Sequence, residues 1–470
     1  MKIRFIEPGN QPYRKSLKNY FVYDKYIRTP SNGMITLATI LKREYEDVFC
    51  YSESISEIVW DDVLDSDIIF ISIFTFNANR GYELAEYIKK KSKALVVFGG
   101  LHATLNYNET IRYCDYVLRG EGDELILQFT NAVRDNAAID FPGVVYKKNG
   151  EIITMGEPEI PDNIDTIPDR NLLYKFREVT KYNTIWPQVH ASRSCPHNCD
   201  YCALVAAFGR KVRTRPPESV ADDIEAAIEF FSGHKRLAKV LWITDDNFFA
   251  DREWAKSVLN EIIDRGIKYS FTIQIRYEVG FDDEMLELLK KAGFDELSMG
   301  IEFLEDESFE KYNKKSTYEE ILRSVKNIQS HGMRTRGLFI VGADNHTKGI
   351  GERLADFVIK NNICGVLIQS MYFIPGTPVY DSHKDKLIDT ADWSRNTGRV
   401  VHYPQNMTAA ELQREIIIAS GKIYSFKRLL QAIFRKRGLE RILFIGEYFW
   451  QKGIRRELKK ELSYLEQLGR

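Results

Sequence analysis

Residues 194–202 read Ser-Cys-Pro-His-Asn-Cys-Asp-Tyr-Cys, which places three of the six cysteines of the chain at Cys195, Cys199 and Cys202. This run follows Pro187–Ala191, a short segment with the apolar pattern of a buried strand. The spacing allows three thiolates to converge from one tight loop on a polynuclear centre, and three ligands leave one iron of a four-iron cluster free to bind a substrate. A zinc site completed by His197 or by another side chain is the alternative, but small zinc modules usually contain a second ligand pair. The pattern therefore favours an iron–sulfur cluster.

The segments around and after this loop alternate between strand-like and helix-like patterns. One of the helical segments has an N-cap at Asp282 and a glycine, Gly293, beyond its last turn. Six such β/α units predict a partial (β/α)6 barrel over residues 183–385, a fold that carries its chemistry at the carboxyl ends of the strands. The strand candidates are Pro187–Ala191, Lys239–Thr244, Ser270–Ile275, Glu296–Ile301, Arg336–Val341 and Gly365–Met371.

Residues 1–140 show a similar alternation of strands and helices. Asp67–Phe74 and Ala94–Phe98 are continuous β-rich runs of the kind that is buried on both faces of a sheet. Strands separated by helices imply right-handed crossovers, so this region is predicted to be a Rossmann-like, doubly wound parallel sheet in an α/β protein. Residues 141–182 carry four prolines and are predicted to form a linker with a small hairpin, and residues 386–470 to form a helical C-terminal region.

The composition excludes several classes of protein. The chain has 66 Lys and Arg against 67 Asp and Glu, so no global basic excess points to nucleic acid. The longest apolar run, Ile68–Phe74, is far shorter than the roughly 18 residues of a membrane span, and the charged N-terminus is unlike a secretory signal. Six cysteines in 470 residues exclude a disulfide-stapled scaffold, and the clustering of three of them favours metal or redox chemistry. We therefore expect a cytoplasmic location.

The cysteine loop after the first barrel strand resembles that of the radical S-adenosylmethionine (SAM) superfamily. Two elements of the N-terminal region and one of the C-terminal region are similar to the cobalamin-binding subgroup: Gly99-Gly100-Leu-His102, Arg119–Gly122 and Val401–Thr408. The resemblance covers residues 1 to about 425, and the CxxxCxxC spacing is its most specific part. Further similarity lies at the ends of the later barrel strands, in Thr244–Asn247, Gln274, Arg276, Gly300–Glu302, Gly342–Asp344 and Pro375–Pro378.

This resemblance implies a set of cofactors and residue roles for the barrel. Cys195, Cys199 and Cys202 would hold a 4Fe-4S cluster whose open iron chelates SAM, and one electron would cleave SAM to a 5′-deoxyadenosyl radical that abstracts hydrogen from the substrate. The candidate SAM contacts are Asp245, Asp246 and Asn247 at the ammonium group, Glu302 at the ribose hydroxyls, and Gln274 and Arg276. Helix capping is the alternative for Asp246 and Asn247.

The resemblance also implies that cobalamin binds at the carboxyl edge of the N-terminal sheet. A doubly wound sheet presents strand ends and helix N-termini to a ligand at this edge, and paired glycines allow close backbone approach. A turn that merely needs positive φ is the alternative for these glycines. The candidate contacts are Ser31, Phe74, Gly99, Gly100, His102, Gly120 and Glu121, although His102 could equally be a hydrogen-bonded turn residue.

The motif that often supplies an axial histidine to cobalamin, DxHxxG after the first strand, has no counterpart between Glu7 and Asn32. Cobalamin is therefore expected in a base-off form without a histidine ligand, its lower face covered by Ser31–Met34 or Phe74–Asn77. The same pattern at Asp344–Gly349 lies in the barrel, where we interpret it as a chance match. A domain that has kept this fold and lost its ligand is the alternative.

The resemblance favours a cobalamin-dependent radical SAM methyltransferase that acts on an unactivated carbon. A radical SAM enzyme that catalyses cyclisation, rearrangement or dehydration without methyl transfer is the second candidate, and a non-catalytic metal-binding protein is the third. A methylthiotransferase is disfavoured because the N-terminal region lacks the cysteines for a second cluster. The expected partners are a small-molecule or lipid substrate and an electron donor such as flavodoxin or ferredoxin.

The C-terminal region differs in charge from the rest of the chain. Residues 421–470 contain 13 Lys and Arg against 5 Glu, and aromatic residues and leucines alternate with these charges. A helical cap that packs its apolar side on the barrel and leaves its basic side in solvent is the favoured interpretation. An amphipathic surface that makes peripheral contact with anionic lipid, or binds a phosphate-bearing substrate, is the alternative.

Overall fold

The computed structural model describes residues 1–9, 30–180, 185–232, 239–390, 392–436 and 438–469. Two mainly parallel sheets and a set of C-terminal helices make up the chain, which confirms the predicted α/β class with its Rossmann-like sheet, partial barrel and helical end. The predicted boundary between linker and barrel, at residues 182 and 183, lies outside the described residues.

The N-terminal sheet has seven strands in the order β2-β1-β3-β4-β5-β6-β7. The first five run parallel, as predicted, and their apolar residues are buried because helices cover both faces. The strands are β1 Lys2–Glu7, β2 Asp47–Ser52, β3 Ile68–Ser72, β4 Leu95–Gly99, β5 Tyr116–Leu118, β6 Val144–Lys148 and β7 Glu151–Thr154. The helices are Asn32–Lys42, Trp60–Leu64, Ala78–Lys91, Leu101–Leu105, Tyr107–Thr110 and Leu125–Arg134.

The hairpin predicted within the linker is part of this sheet. Strands β6 and β7 pair antiparallel, and β6 also pairs antiparallel with β5, so the sheet continues to Thr154 and is not purely parallel. Asn149 and Gly150, which join the two strands, both have positive φ, as a tight hairpin turn of this kind requires. Strand β2 was absent from the sequence-based strand candidates because its run, Asp47–Ser52, mixes polar and apolar residues.

The second sheet has six parallel strands in the order β15-β14-β13-β12-β11-β8, and its two edge strands do not pair with each other. It is therefore the open barrel that the sequence predicts. The strands are β8 Gln188–Val189, β11 Val240–Ile243, β12 Ser270–Ile275, β13 Phe294–Glu302, β14 Arg334–Val341 and β15 Gly365–Ser370, with β9 Ser192–Arg193 and β10 Arg213–Thr214 in a separate antiparallel pair. The helices are Phe176–Thr180 before β8 and then Ala203–Phe208, Pro217–Phe230, Arg252–Asp264, Asp283–Lys291, Asp306–Lys311, Tyr318–Ser330, Ile350–Lys360 and Pro378–His383.

The barrel helix Asp283–Lys291 begins directly after the cap that the sequence predicts. The Asp282 carboxylate accepts a hydrogen bond from the Met285 amide at 3.1 Å, which confirms it as an N-cap. Thr317 and Glu320 form a reciprocal capping box at the start of Tyr318–Ser330. Because these caps fix the helix ends, they also fix the strand-to-helix loops that carry the site.

Among the described residues, three α-helices follow the barrel: Ala409–Ile423, Phe426–Arg435 and Gly438–Gln467. The last of them reaches the barrel through Glu447, which forms an ion pair with Arg336 of β14 and accepts a hydrogen bond from Tyr424 at 2.7 Å. Trp393, before these helices, donates to Glu109 of the N-terminal domain at 2.8 Å. The C-terminal region thus joins both sheets.

Candidate active site at the cysteine loop

The three clustered cysteines lie on one loop after β9, at the carboxyl-terminal side of the barrel strand β8. All three are half-buried, whereas Cys50 and Cys114 in the N-terminal sheet are buried. The Cys202 amide donates to the Cys199 carbonyl at 3.0 Å, a tight turn that brings these two residues together. Burial raises the pKa of the Cys202 thiol, and the backbone amides that follow it oppose that shift, as they would for a thiolate ligand.

The donor set fits an iron–sulfur cluster. No three Cys, His, Asp or Glu side chains in the described part of the chain are close enough to share one metal ion. The thiolates of a four-iron cluster each bind a different iron, so they do not have to meet at a single point. Asn247 points its amide at the Cys195 sulfur, with Nδ2 and Sγ 3.7 Å apart, as a residue that orients a cluster ligand would.

Asp245 and Asp246 hold the backbone that leads into the cysteine loop. The two oxygens of the buried Asp245 carboxylate accept from the Ala191 amide and the Ser192 hydroxyl, each at 2.7 Å. Asp246 accepts from the Ser194 amide at 2.8 Å. Burial raises the pKa of Asp245 to about 7 and that of Asp246 to about 6. In this arrangement both carboxylates stabilise the segment that precedes the cysteine loop. Their contact with the SAM ammonium group stays a prediction.

Ser194 has a left-handed backbone, with φ of 71°. Such a conformation costs roughly 1–2 kcal/mol in a residue with a Cβ, so glycine would suit this position. The Ser194 hydroxyl contributes a stabilising contact, because it accepts a hydrogen bond from the Arg213 guanidinium at 3.0 Å. Ser194 therefore combines a strained backbone with a side-chain contact to Arg213.

Glu302, the predicted ribose contact, is the second strained residue of the site. It ends β13 with φ of 66°, next to a register shift between Gly300 and Glu302. Its carboxylate lies 3.3 Å from the Lys314 ammonium group, which also donates to the Gly300 carbonyl at 2.6 Å. The side chains of Glu302 and Lys314 are 15 % and 4 % exposed, so this charge pair lines the barrel edge with its acid still reachable. Strain of this kind is concentrated at functional sites.

The other two predicted SAM contacts lie on and after β12. Gln274 is exposed near the end of that strand. Arg276 pairs with Glu278 at 2.8 Å. Burial lowers the pKa of Arg276, whereas Glu278, Cys199 and Cys195 together raise it by more than burial lowers it. The net shift of this pKa is therefore upward. Arg276 is therefore a permanent positive charge beside the cysteine loop.

The candidate cobalamin contacts lie at the carboxyl edge of the N-terminal sheet, with one exception. Ser31 begins the Asn32–Lys42 helix, and its amide donates to Glu7 at 2.9 Å. Phe74 stacks on Phe76, with ring centroids 5.7 Å apart, and Phe76 is partly exposed. Gly99 ends β4 and is half-buried.

The glycines of this edge are required by the backbone itself. Gly100 has φ of 94°, and a Cβ at this position would lie 2.8 Å from the Ile73 carbonyl oxygen. Gly120 has φ of 80°, and a Cβ there would lie 2.6 Å from the Pro158 side chain. Tight turns with positive φ therefore account for both residues, and close approach to a ligand stays a prediction.

The exception is His102, which is fully buried behind this edge. Its two ring nitrogens lie 3.3 Å from the Thr75 hydroxyl and 3.1 Å from the Tyr82 hydroxyl, and Trp393 packs against the ring. Burial lowers the pKa of His102 to about 3, so the imidazole is neutral. His102 therefore lies in the Leu101–Leu105 helix with both ring nitrogens beside hydroxyl groups, and its contact with cobalamin stays a prediction.

The DxHxxG pattern of the barrel has a structural role. Asp344 pairs with His383 at 3.0 Å and with Lys311 at 2.8 Å. His346 is buried, and its Nδ1 accepts from the Gly342 amide at 3.1 Å. These contacts tie the loop after β14 to its neighbours in the barrel.

Glu121 joins the two domains. Its carboxylate accepts from Arg213 and lies 2.6 Å from Arg193, which also pairs with Asp123 at 2.6 Å. The side chains of these two acids and two arginines are 4–21 % exposed, so their contacts are protected from solvent screening. Arg193 and Arg213 flank the cysteine loop, and Glu121 and Asp123 belong to the loop after β5. The predicted cobalamin loop is thus ion-paired to the residues that hold the cysteine loop.

The structure adds residues that the sequence motifs did not single out: Arg193, Arg213, Asp123 and Lys314. None of them lies in a spacing pattern that signals chemistry. The one available signal was the acidic Gly120–Asp123 loop, because a buried acidic loop needs cationic partners. Which arginines supply them depends on how the two domains pack.

Known proteins resemble this chain in sequence. Residues 189–358 match the sequence profile of the Radical SAM superfamily. The bacteriochlorophyllide d C-12(1)-methyltransferase of Chlorobaculum tepidum is 24% identical over 422 residues, which cover 89% of this chain and 87% of the relative. The anaerobic magnesium-protoporphyrin IX monomethyl ester cyclase of Cereibacter sphaeroides is 26% identical over 372 residues, with 75% and 59% covered.

A solved structure extends the likeness to the whole fold. The radical SAM methyltransferase TsrM of Kitasatospora setae, in a structure with cobalamin and a [4Fe-4S] cluster bound, superposes with a TM-score of 0.72. The sequences are 14% identical, and the superposition covers 98% of this chain and 100% of that one. Residues 189–358 thus match the Radical SAM superfamily, and the whole chain has the fold of TsrM.

Proposed function

We propose that this chain is a cobalamin-dependent radical SAM enzyme that transfers a methyl group to an unactivated carbon. The observation that carries the proposal is the direct ion pairing between the Gly120–Asp123 loop and the arginines that flank the cysteine loop. These pairs hold the carboxyl edges of the two sheets against each other, where a ligand of each sheet could meet the same substrate.

The chemistry comes from groups that the protein binds. When bound, the cluster supplies the electron that cleaves SAM, and cobalamin supplies a carrier for the methyl group. The chain itself has to hold these groups, orient them and keep water away. The three cysteine thiolates would hold the cluster, and Asn247 would orient Cys195 for it. Asp245 and Asp246 fix the backbone of the loop so that the thiolates stay in register.

Glu302 and Arg276 are the side chains best placed to orient SAM. Glu302 presents a carboxylate whose negative charge is held in place by Lys314, and carboxylates are good acceptors for ribose hydroxyl groups. Arg276 supplies a fixed positive charge near the thiolates and would attract the SAM carboxylate. Gln274 is exposed at the strand end, where its amide could donate or accept a hydrogen bond.

The N-terminal edge would bind cobalamin through shape and backbone groups. His102 is enclosed by the protein, so cobalamin would bind without a histidine ligand, with the Phe74 and Phe76 rings as an apolar surface for its lower face. Ser31 places the N-terminus of the Asn32–Lys42 helix at the same edge. Helix N-termini favour amide oxygens and phosphate, both of which cobalamin carries.

The partners follow from this chemistry. The cluster needs a one-electron donor, and a flavodoxin or a ferredoxin would serve in the cytoplasm, where we place the enzyme. The substrate is a small molecule or a lipid with a carbon that resists ordinary nucleophilic methylation. No helix in the described ranges is both long and apolar enough to cross a membrane.

Product analysis tests the proposed reaction. Anaerobically reconstituted protein would be incubated with SAM, a reductant and an extract of the producing cells, and the products identified by mass spectrometry. We expect S-adenosylhomocysteine and 5′-deoxyadenosine to form together, since SAM both donates methyl and starts the radical. 5′-Deoxyadenosine without S-adenosylhomocysteine would overturn methyl transfer.

The role of Glu302 has its own test. Glu302→Gln keeps the shape of the side chain and removes its charge, so we expect SAM affinity to fall by about 10- to 100-fold while iron content stays unchanged. SAM binding measured by equilibrium dialysis would give the change. Glu319→Gln, on an exposed turn of a barrel helix, is the matched control and should bind SAM as the wild type does. Unchanged affinity in Glu302→Gln would remove this residue from the SAM site.

Cyclisation, rearrangement or dehydration without methyl transfer is the second candidate. It is favoured by one observation, the 26% identity with a magnesium-protoporphyrin IX monomethyl ester cyclase. The product analysis separates the two functions, because only methyl transfer consumes a second SAM. A chain that binds zinc and fails to cleave SAM would instead be the non-catalytic metal-binding protein.

A further inference from the structure

The C-terminal helix Phe426–Arg435 carries an uncovered apolar stripe. Phe426, Leu430 and Phe434 are 64 %, 40 % and 82 % exposed. They are four residues apart and therefore lie on one face of the helix, along about 12 Å of its length. Single exposed apolar residues are common on protein surfaces, but three in one row that include two phenylalanines are not.

The helix cannot turn to bury this stripe, because its other side is already packed. Leu429 and Ala432 are buried in the barrel core cluster, and Ile433 packs against it. The neighbouring helix, Gly438–Gln467, exposes Ile442 and Phe449 in turn. The favoured interpretation of the C-terminal region, a cap with an apolar side on the barrel and a basic side in solvent, therefore describes only part of it.

Basic side chains border the stripe. Lys427 and Arg435 are exposed, and neither pairs with a carboxylate among the described side chains. They belong to the segment with 13 Lys and Arg against 5 Glu. An apolar row with a cationic border is the pattern of a helix that lies in the interface of a membrane, with rings among the acyl chains and cations at anionic headgroups.

The positive charge beside the stripe favours a lipid surface over a second copy of the chain as the partner of this helix. In a two-fold dimer the same face meets itself, so Lys427 and Arg435 would meet the same cations of the second copy. An anionic lipid surface complements them instead. We infer that the Phe426–Arg435 helix docks this protein on an anionic phospholipid surface, through Phe426, Leu430 and Phe434 with Lys427 and Arg435 as headgroup contacts.

Vesicle flotation of the full-length reconstituted protein tests this inference. We expect the wild type to bind vesicles of phosphatidylglycerol and phosphatidylcholine. Its binding to vesicles of phosphatidylcholine alone should be weaker by about tenfold or more. Phe434→Asp should weaken binding to the anionic vesicles by about tenfold or more, since it removes the most exposed ring. Lys427→Glu with Arg435→Glu should weaken the same binding and reduce its dependence on salt.

Two control variants keep the result specific. Ile359→Asp changes an exposed apolar residue on the Ile350–Lys360 helix, and Lys90→Glu with Lys91→Glu changes two exposed cations on the Ala78–Lys91 helix. Both should bind anionic vesicles as the wild type does. Circular dichroism and iron content would establish that every variant is folded.

Three outcomes would overturn the inference. One is a wild type that does not float with anionic vesicles, and another is equal binding to neutral vesicles. The third is a wild-type dimer that becomes a monomer in Phe434→Asp, which would make the stripe an interface between copies. Flotation requires neither SAM nor turnover, so the docking surface and the proposed reaction can fail independently.

Discussion

The carboxyl edges of the two sheets differ in how they would hold a ligand. The barrel edge holds its cysteine loop with directed polar contacts, from Asp245 and Asp246 to the backbone and from Asn247 to a thiol. The N-terminal edge consists of tight glycine turns and stacked aromatic rings, and its one histidine is enclosed. A metal cluster needs ligands of fixed type and number, whereas a large macrocycle can be held by shape and backbone groups. The barrel edge is therefore recognisable from a motif of fixed residue types and spacing, whereas the N-terminal edge has no comparably specific motif.

The largest expected effect separates the two edges completely. Cys199→Ala should abolish the cluster and SAM cleavage, because the loop loses one of three thiolates, while cobalamin binding should persist. Iron analysis, the formation of 5′-deoxyadenosine and the retention of cobalamin on gel filtration would measure this. Cys114→Ala, at a buried cysteine of the N-terminal sheet, is the matched control and should keep its iron. Intact SAM cleavage in Cys199→Ala would contradict the assignment of the loop.

The next effect tests the contact between the edges. Glu121→Gln should lower the free energy of unfolding by about 3 kcal/mol, since it leaves the buried Arg213 and Arg193 cations with fewer partners. Denaturant unfolding would measure the loss. Asp162→Asn breaks the exposed pair with Lys211 and should cost much less, because solvent screens that pair. Equal costs for the two variants would mean that the inter-domain pair is no stronger than a surface pair.

A pH effect sharpens the interpretation of His102. The folded chain keeps this imidazole neutral down to a pKa of about 3, whereas an unfolded chain binds the proton below about 6.5. The stability that the neutral imidazole provides is complete above the unfolded value and is lost as the pH falls below it. Between pH 6.5 and 5, the wild type should lose about 2 kcal/mol relative to His102→Gln.

Unfolding free energies at several pH values would measure this loss. Tyr82→Phe is the control, because it removes one hydrogen bond to the ring and leaves the imidazole buried, so the pH dependence should remain. Parallel curves for the wild type and His102→Gln would show that the imidazole is reached by solvent, and would return His102 to the list of ligand contacts.

The smallest effect concerns strain in the cysteine loop. Ser194→Gly and Ser194→Ala both lose the hydrogen bond from Arg213, but only glycine relieves the positive φ. The glycine variant should therefore be more stable than the alanine variant by about 1 kcal/mol. At Ser257, inside the Arg252–Asp264 helix, the order should reverse, because glycine destabilises a helix interior. Thermal unfolding would compare the four variants, and the same order at both positions would contradict the strained backbone.

The sequence was most informative where local chemistry decides the structure. The strand Ser270–Ile275, the Asp282 cap and the cysteine loop lie where their patterns predict. The hairpin after residue 140 was recognised from its Asn-Gly turn, but its place in the sheet depends on pairing with β5, which is distant in sequence. The roles of Asp245 and Glu121 were missed for the same reason. Their partners, Ala191 and Arg213, are 54 and 92 residues away, and no local pattern records such contacts.

The binding of both cofactors is tested most directly by measuring their content in one preparation. The chain would be purified anaerobically, reconstituted with iron, sulfide and cobalamin, and passed through gel filtration before metal analysis and absorption spectroscopy. The account predicts about four iron atoms from one 4Fe-4S cluster together with one cobalamin per chain. A chain that keeps its iron but releases all cobalamin, or that carries no iron–sulfide chromophore, would contradict it.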